Sequence, residues 1–287
     1  MKQNIKKMAN HDDMTLGDLL KKAPKKSIFS TIGQLFKKKP LTFEKALKNP
    51  LKHTSLDLRN QNLKELPESI GQFKNLRQLY LDNNQLTSLP DAIGDLPQLD
   101  LLTLRNNQLT SLPDTIGNLS TLTYIDLKNN QLTSLPDAIG KLTRLTNIDL
   151  ESNQLKTLPD SICSLTRVYS FNAANNQLTQ LPELFGNMTQ IQVLNLHHNQ
   201  LTHLPESLGN LKETVVYFNI SNNRLKTLPN TLHKVVFEDI YLDNNELESL
   251  GTLGQGGYRI DQLHLKGNPL LTIPETLSKR PGLWLSL

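Results

Sequence analysis

The sequence predicts an α/β solenoid. About ten stacked repeats each give one short strand to a parallel concave sheet and one short 3-10 or irregular segment to the convex side. Three observations predict it. Leucine supplies 58 of the 287 residues, against 5% aromatics. The pairs Leu79–Leu81, Leu102–Leu104, Ile125–Leu127, Ile148–Leu150, Leu194–Leu196 and Leu263–Leu265 alternate apolar with polar, the period of a strand with one buried face. Three residues after each pair stands an asparagine. The series Asn84, Asn107, Asn130, Asn153, Asn176, Asn199, Asn223, Asn245 and Asn268 keeps a 23-residue step, except 24 between Asn199 and Asn223 and 22 between Asn223 and Asn245. Self-similarity at a fixed period of this size marks a repeat architecture.

The unit reads LxxLxLxxNxLxxLPxxIGxLxx, and residues 76–98 fit it without exception. An imperfect first copy begins near residue 53 with Leu56, Leu58 and Leu63, and Gln61 takes the asparagine's place. The unit resembles the leucine-rich repeat family. Within that family it resembles the 23-residue LPxxIGxL class of bacterial and Ras-suppressor-like proteins. The resemblance covers about four-fifths of the chain. It implies a horseshoe-like array and says little about function, because one fold carries many functions. It also implies that the nine asparagines form an internal ladder satisfying turn backbone groups.

Taken in order, residues 1–41 read as a basic N-terminal tail, 42–52 as a capping helix and 53–287 as the repeat domain. Residues 1–52 carry 13 lysines against four acids, a net of +9, whereas residues 53–287 carry 18 Lys/Arg against 23 Asp/Glu, a net of −5. In the tail, Ile28, Phe29, Ile32, Leu35 and Phe36 recur at helical spacing between lysines. Three readings stand open there: a helix packed on the array, a disordered tail with a targeting signal, and a membrane-surface or partner-helix element. From Thr42 to Asn49 a short helix is expected, with Thr42 as N-cap, Glu44 four residues before Lys48, and Pro50 as the stop.

Ten strands are expected at about 55–59, 78–82, 101–105, 124–128, 147–151, 170–174, 193–197, 217–221, 239–243 and 262–266. The Leu-Pro step disfavours regular helix ahead of the proline, so each second half should be 3-10 or irregular. Repeat six exchanges sizes within one layer, with Phe171, Ala173, Phe185 and Met188. Repeat nine loses its proline to a glycine-rich run from Gly251 to Gly257, which reads as a flexible loop and lacks the lysine of a phosphate-binding loop. At the end stands the only tryptophan, Trp284, placed to close the last repeat.

No catalytic, cofactor-binding or metal site is legible, and no cofactor is expected. The lone Cys163 excludes an intrachain disulfide framework and takes the glycine slot of its repeat. It reads as a structural residue in a reduced, cytoplasmic protein; the alternative location is a host cell, reached without a cleaved signal peptide. No stretch approaches the roughly 18 apolar residues of a membrane span. His197 and His198 are adjacent and should point to opposite sides of a strand edge. Asp126 and Asp149 occupy one slot of adjacent repeats and should lie side by side.

Positions 3, 5 and 7 of the unit face away from the core. They hold seven acids against four Lys/Arg, and four of the six tyrosines. The candidate partner-binding residues on this face are Tyr80, Tyr124, Asp126, Asp149, Asn172, Val193, Asn195, Tyr217, Asn219 and Tyr241. Tyrosine offers large contact area with a polar tip, although β-propensity alone also places it in strands. These tyrosines are expected to be solvent-exposed in the free protein. The acid excess argues against nucleic-acid phosphates. The resulting expectation is a non-enzymatic module binding a protein partner on its concave face. Two alternatives are a bacterial effector acting on a host protein and a membrane-surface adaptor working through the basic N-terminal segment.

Overall fold

A computed structural model of the chain describes residues 42–255, 260–270 and 272–287. The expectations for the basic tail, 1–41, lie outside the described residues. Within the array each Leu/Ile pair forms the inward edge of one strand. These strands are β1 (Ser55–Asp57), β2 (Gln78–Tyr80), β3 (Leu101–Thr103), β4 (Tyr124–Asp126), β5 (Asn147–Asp149), β6 (Ser170–Asn172), β7 (Val193–Asn195), β8 (Val215–Asn219), β9 (Phe237–Tyr241), β10 (Gln262–His264) and β11 (Trp284–Ser286). All are parallel and pair in sequence order. The register repeats, with Leu56 beside Leu79, Leu79 beside Leu102 and Leu102 beside Ile125. These inward residues are fully buried and form one continuous core, because each repeat can cover its apolar flank only with its neighbours.

Three strand expectations are corrected. Most strands are three residues long rather than five, because the chain turns as soon as the second inward leucine is placed. β8 and β9 begin two residues early, at Val215 and Phe237, which pair with each other; the 24- and 22-residue spacings fall here. An eleventh strand, β11, brings Leu285 beside Leu263.

The asparagine ladder explains why the strands stop where they do. The Asn130 side-chain amide donates to the Leu127 carbonyl of its own turn at 2.9 Å and to the Leu104 carbonyl of the preceding repeat at 3.0 Å. Its Oδ1 accepts the Leu109 N–H at 3.0 Å. One side chain thus satisfies three backbone groups in two repeats, and Asn84, Asn107, Asn153, Asn176, Asn199, Asn223, Asn245 and Asn268 repeat the pattern. The residue before each ladder position is left-handed: Asn83, Asn106, Asn129, Ser152, Asn175, His198, Asn222 and Asn244 all have φ of 52–57°. Asparagine tolerates that region better than most residues. It also builds a second, exposed row, with Asn129 donating to Asn106 at 2.7 Å and Asn106 to Asn83 at 2.6 Å. Asn129 is therefore a conformational residue as well as an exposed one.

The convex side follows the Leu-Pro step. Pro90 sits at φ −70°, and the 3-10 segment Asp91–Asp95 follows, with Ile93 buried. The Ile93 N–H donates to the Pro90 carbonyl at 3.0 Å. The glycine after the isoleucine lets successive segments touch: a Cβ on Gly117 would stand 2.6 Å from the Ala138 carbonyl oxygen. Cys163 takes that slot in one repeat, and the next 3-10 segment shrinks to Phe185–Asn187, leaving Leu184 61% exposed. In the same layer Phe171 and Phe185 pack edge to face at 5.3 Å.

At the N-terminal end the helix α1 (Phe43–Leu47) buries Phe43 and Ala46, and Phe43 packs on Phe73 at 5.7 Å. Thr42 precedes it without a side-chain cap bond. At the other end, α2 (Glu275–Ser278) buries Leu277. The glycine run is only partly a loop. Residues 251–255 form hydrogen-bonded turns, with the Leu253 N–H donating to the Leu250 carbonyl at 3.0 Å and Leu253 buried; residues 256–259 lie outside the described residues.

Urea unfolding checks the two asparagine rows. Asn130→Ala strands three backbone groups and is expected to cost about 1–3 kcal/mol or more. Asn129→Gly keeps the left-handed turn and should stay within about 0.5 kcal/mol. Asn129→Ala should fall between them, because a left-handed alanine costs roughly 1–2 kcal/mol. Equal midpoints for Asn130→Ala and Asn129→Gly would contradict the ladder assignment.

Candidate functional site

On the concave face, side chains in one slot of successive strands stand a single strand spacing apart, about 4.8 Å. They pack against one another, and this overturns the expected exposure. Asp126, Asp149, Asn172, Val193, Asn195 and Asn219 are buried, and Tyr217 is only 7% exposed. Tyr80, Tyr124 and Tyr241 keep partial exposure. The crowding comes from the parallel stack itself, which no single repeat reveals.

The N-terminal and central part of the face is an interlocked set of charges. Arg59 donates to Asp57 through Nε at 2.9 Å and Nη2 at 2.6 Å, and its guanidinium carbon lies 5.1 Å from the Tyr80 ring centroid. Asp82 accepts the Thr103 hydroxyl at 2.8 Å and the Arg105 N–H at 2.9 Å. Arg105 pairs with Asp126 at 2.7 Å, and Lys128 with Glu151 at 2.7 Å. As expected, Asp126 and Asp149 are register neighbours. Asp149 Oδ1 accepts the Glu151 N–H at 3.0 Å and the Asn172 amide at 3.1 Å. Complete burial, then the nearby Asp126 carboxylate, push the Asp149 carboxyl up to about 8. Asp149 Oδ2 has no hydrogen-bond partner, nor do the Asn147 amide nitrogen and the Ser170 hydroxyl beside it. Burial also raises Tyr124 well above the usual phenol range.

The C-terminal part is aromatic. Tyr217 and Tyr241 approach at 5.2 Å as their adjacent repeats imply. The structure extends the group. Tyr241 stacks on His264 at 4.2 Å and 21°, and His264 meets Trp284 at 4.7 Å. The available signal was Leu285, 22 residues after Leu263, which marks Trp284 as a strand residue. Burial lowers the His264 imidazole, so the ring favours its neutral form.

Histidines 197 and 198 do not diverge. The left-handed turn at His198 breaks the strand alternation, and their Nδ1 atoms lie 2.6 Å apart. No cluster of three or more metal-ligating side chains occurs among the described residues, and no helix among them is long and apolar enough to cross a membrane. Cys163 is buried, and burial followed by Asp160 pushes its thiol up to about 11, the opposite of an activated nucleophile. An open cleft of about 380 Å³ lies on the flank near Arg77, Asp100, Thr123 and Arg144, outside the concave slots.

Two measurements follow from these burials. The Asp149 carboxyl binds its proton more tightly folded than unfolded, so its contribution is greatest below its ordinary value of 3.8 and fades as pH rises towards about 8. Asp149→Asn should flatten the fall in urea midpoint between those pH values; an unchanged slope would contradict the assignment. At neutral pH, the shift of Cys163 from 9.0 to about 11 implies about a hundredfold less thiolate. Labelling with a disulfide reagent should be slower by at least that factor than in urea-unfolded chain, and comparable rates would refute its burial.

Comparison with known proteins agrees with this architecture. A family model described as "Leucine rich repeat" matches residues 54–109, and one described as "Leucine-rich repeat region" matches residues 114–236. A search of curated proteins found no match. Among solved structures, the plant peptide hormone receptor RGFR1 in complex with RGF2 superposes with a TM-score of 0.74 at 27% identity, over 84% of this chain and 40% of the receptor. The ectodomain of the receptor kinase GASSHO1/SCHENGEN3 from Arabidopsis thaliana, in complex with CASPARIAN STRIP INTEGRITY FACTOR 2, gives 0.68 at 29%, over 80% and 28%. The Drosophila Toll–Spatzle complex gives 0.63 at 27%, over 79% and 35%. The chain thus spans less than half the length of each. With the two family matches together covering more than half of its residues, the chain belongs to the leucine-rich repeat family.

Proposed function

We propose that this chain is a non-enzymatic protein-interaction module that holds a protein partner against its concave sheet. The observation that carries the reading is the division of labour in each strand. Positions 4 and 6 are spent on the core, whereas positions 3, 5 and 7 lie outside it and line the concave face, with Tyr80, Tyr124 and Tyr241 partly exposed. The asparagine ladder and the continuous core hold that face in one geometry, so little conformational entropy is lost on binding. The solved complexes of similar arrays support the same class of partner, since each pairs a receptor or repeat ectodomain with a second, named component.

Calorimetric titration of a partner recovered with the full chain tests this. Truncating an interface anchor typically costs about 2 kcal/mol or more, so Tyr80→Ala and Tyr241→Ala together should weaken binding by at least about tenfold. Asp137→Ala, on the exposed convex side, should leave affinity within about twofold. Tyr217→Ala is unsuitable, because its burial mixes folding with binding. Loss of binding in the convex variant, with both tyrosine changes silent, would overturn the concave-face reading.

A further inference from the structure

We propose that the C-terminal end of the concave face, built from Tyr241, His264, Trp284 and the Asp243 carboxylate, receives an arginine side chain of the partner. This rests on the concave-face reading and narrows it to one anchor and one chemistry.

The N-terminal end of the same face already contains such a seat, filled from within. There the Arg59 guanidinium bonds to the Asp57 carboxylate and lies 5.1 Å from the Tyr80 ring. The arginine comes from position 7 of its repeat, and the tyrosine from position 5 of the next. At the C-terminal end the aromatic side is larger: Tyr241, His264 and Trp284 run over three successive strands at 4.2 and 4.7 Å. Trp284 is 52% exposed, so ring area remains open. Position 7 of the repeat that contains β9, however, is Asp243 instead of a cation. Its carboxylate accepts the Lys266 backbone N–H at 2.9 Å, and it forms no ion pair among the described residues, the exposed Lys266 ammonium included. Burial raises Asp243, although the His264 ring, two backbone N–H groups and the charge of the nearby Lys266 work against that rise. An incoming cation would relieve the cost of its charge.

Guanidinium fits this combination better than ammonium. It is planar, weakly hydrated, and able to stack on a ring while donating in its own plane to a carboxylate. The neutral His264 adds ring area without adding positive charge. The face as a whole, with seven acids against four Lys/Arg in its slots, favours a basic segment over an acidic one.

Trp284 is the only tryptophan in the chain, so its fluorescence reports this site directly. The full chain is titrated with acetyl-Gly-Arg-Gly-amide and with the same peptide carrying citrulline, which keeps shape and loses charge. The arginine peptide should change the emission saturably, and the citrulline peptide should bind at least about fivefold more weakly. Asp243→Asn keeps an oxygen for the Lys266 N–H and should remove most of that preference, as should raising salt from about 0.05 to 0.5 M. Asp137→Ala, on the exposed convex side, should change neither titration. Equal responses to arginine and citrulline, or an Asp243→Asn protein with the original preference, would overturn the cationic anchor. The partner titrations with Tyr80→Ala judge the concave face separately. Normal partner loss there with no arginine preference here defeats only this inference; an arginine preference here with silent concave variants defeats the wider reading and, with it, the assignment of the arginine to the partner.

Discussion

The fold depends on one side-chain amide used nine times, buried in all but the last repeat. A strand that turns after three residues leaves backbone N–H and C=O groups inside the coil, where water cannot reach them, and each such group left alone is costly. The ladder asparagine meets the cost with a single planar group that donates to two carbonyls and accepts one N–H, tying its own turn to the previous repeat. Because every ladder residue serves two repeats, the bonds set the stacking distance as well as the turn. Core packing, sheet register and convex contacts all inherit that distance.

The concave and convex sides meet the shared spacing differently. On the concave side, strands one hydrogen-bond spacing apart force equal slots into contact, so the chain must place compatible groups in rows. The Arg105–Asp126 and Lys128–Glu151 pairs do this with opposite charges, and the Tyr241–His264–Trp284 column does it with stacked rings. Where two acids fall together, at Asp126 and Asp149, the burial is met by holding a proton. On the convex side the limit is backbone thickness. Glycine lets one 3-10 segment rest on the next, and the exchange for Cys163 coincides with the shortened segment that exposes Leu184.

These rows make the array a surface with two unlike ends. The central charges are largely engaged with one another, which leaves the C-terminal aromatic group, with its exposed Trp284 and the carboxylate of Asp243, as the region with the most ring area open to a guest. A rigid scaffold with local differences in its variable slots can recognise a partner without moving. Specificity then resides in which slots are satisfied internally and which are not.

By itself, the sequence determined the repeat: the inward leucines, the ladder asparagines, the 3-10 segments after the Leu-Pro steps and the neighbouring of Asp126 with Asp149. Each of these follows from local period and local backbone chemistry, which recur often enough to be read directly. It also marked the concave slots as the candidate binding face. What it could not decide was how far those slots are buried, because Tyr217 and Asp149 pack against register partners 22 to 24 positions away as well as their own repeat. The left-handed role of Asn129, the meeting of His197 with His198, and the joining of His264 and Trp284 to the tyrosines were likewise settled only in three dimensions. In each case the deciding contact or torsion comes from the stacking and the turn geometry, which a pattern of polar and apolar letters does not contain.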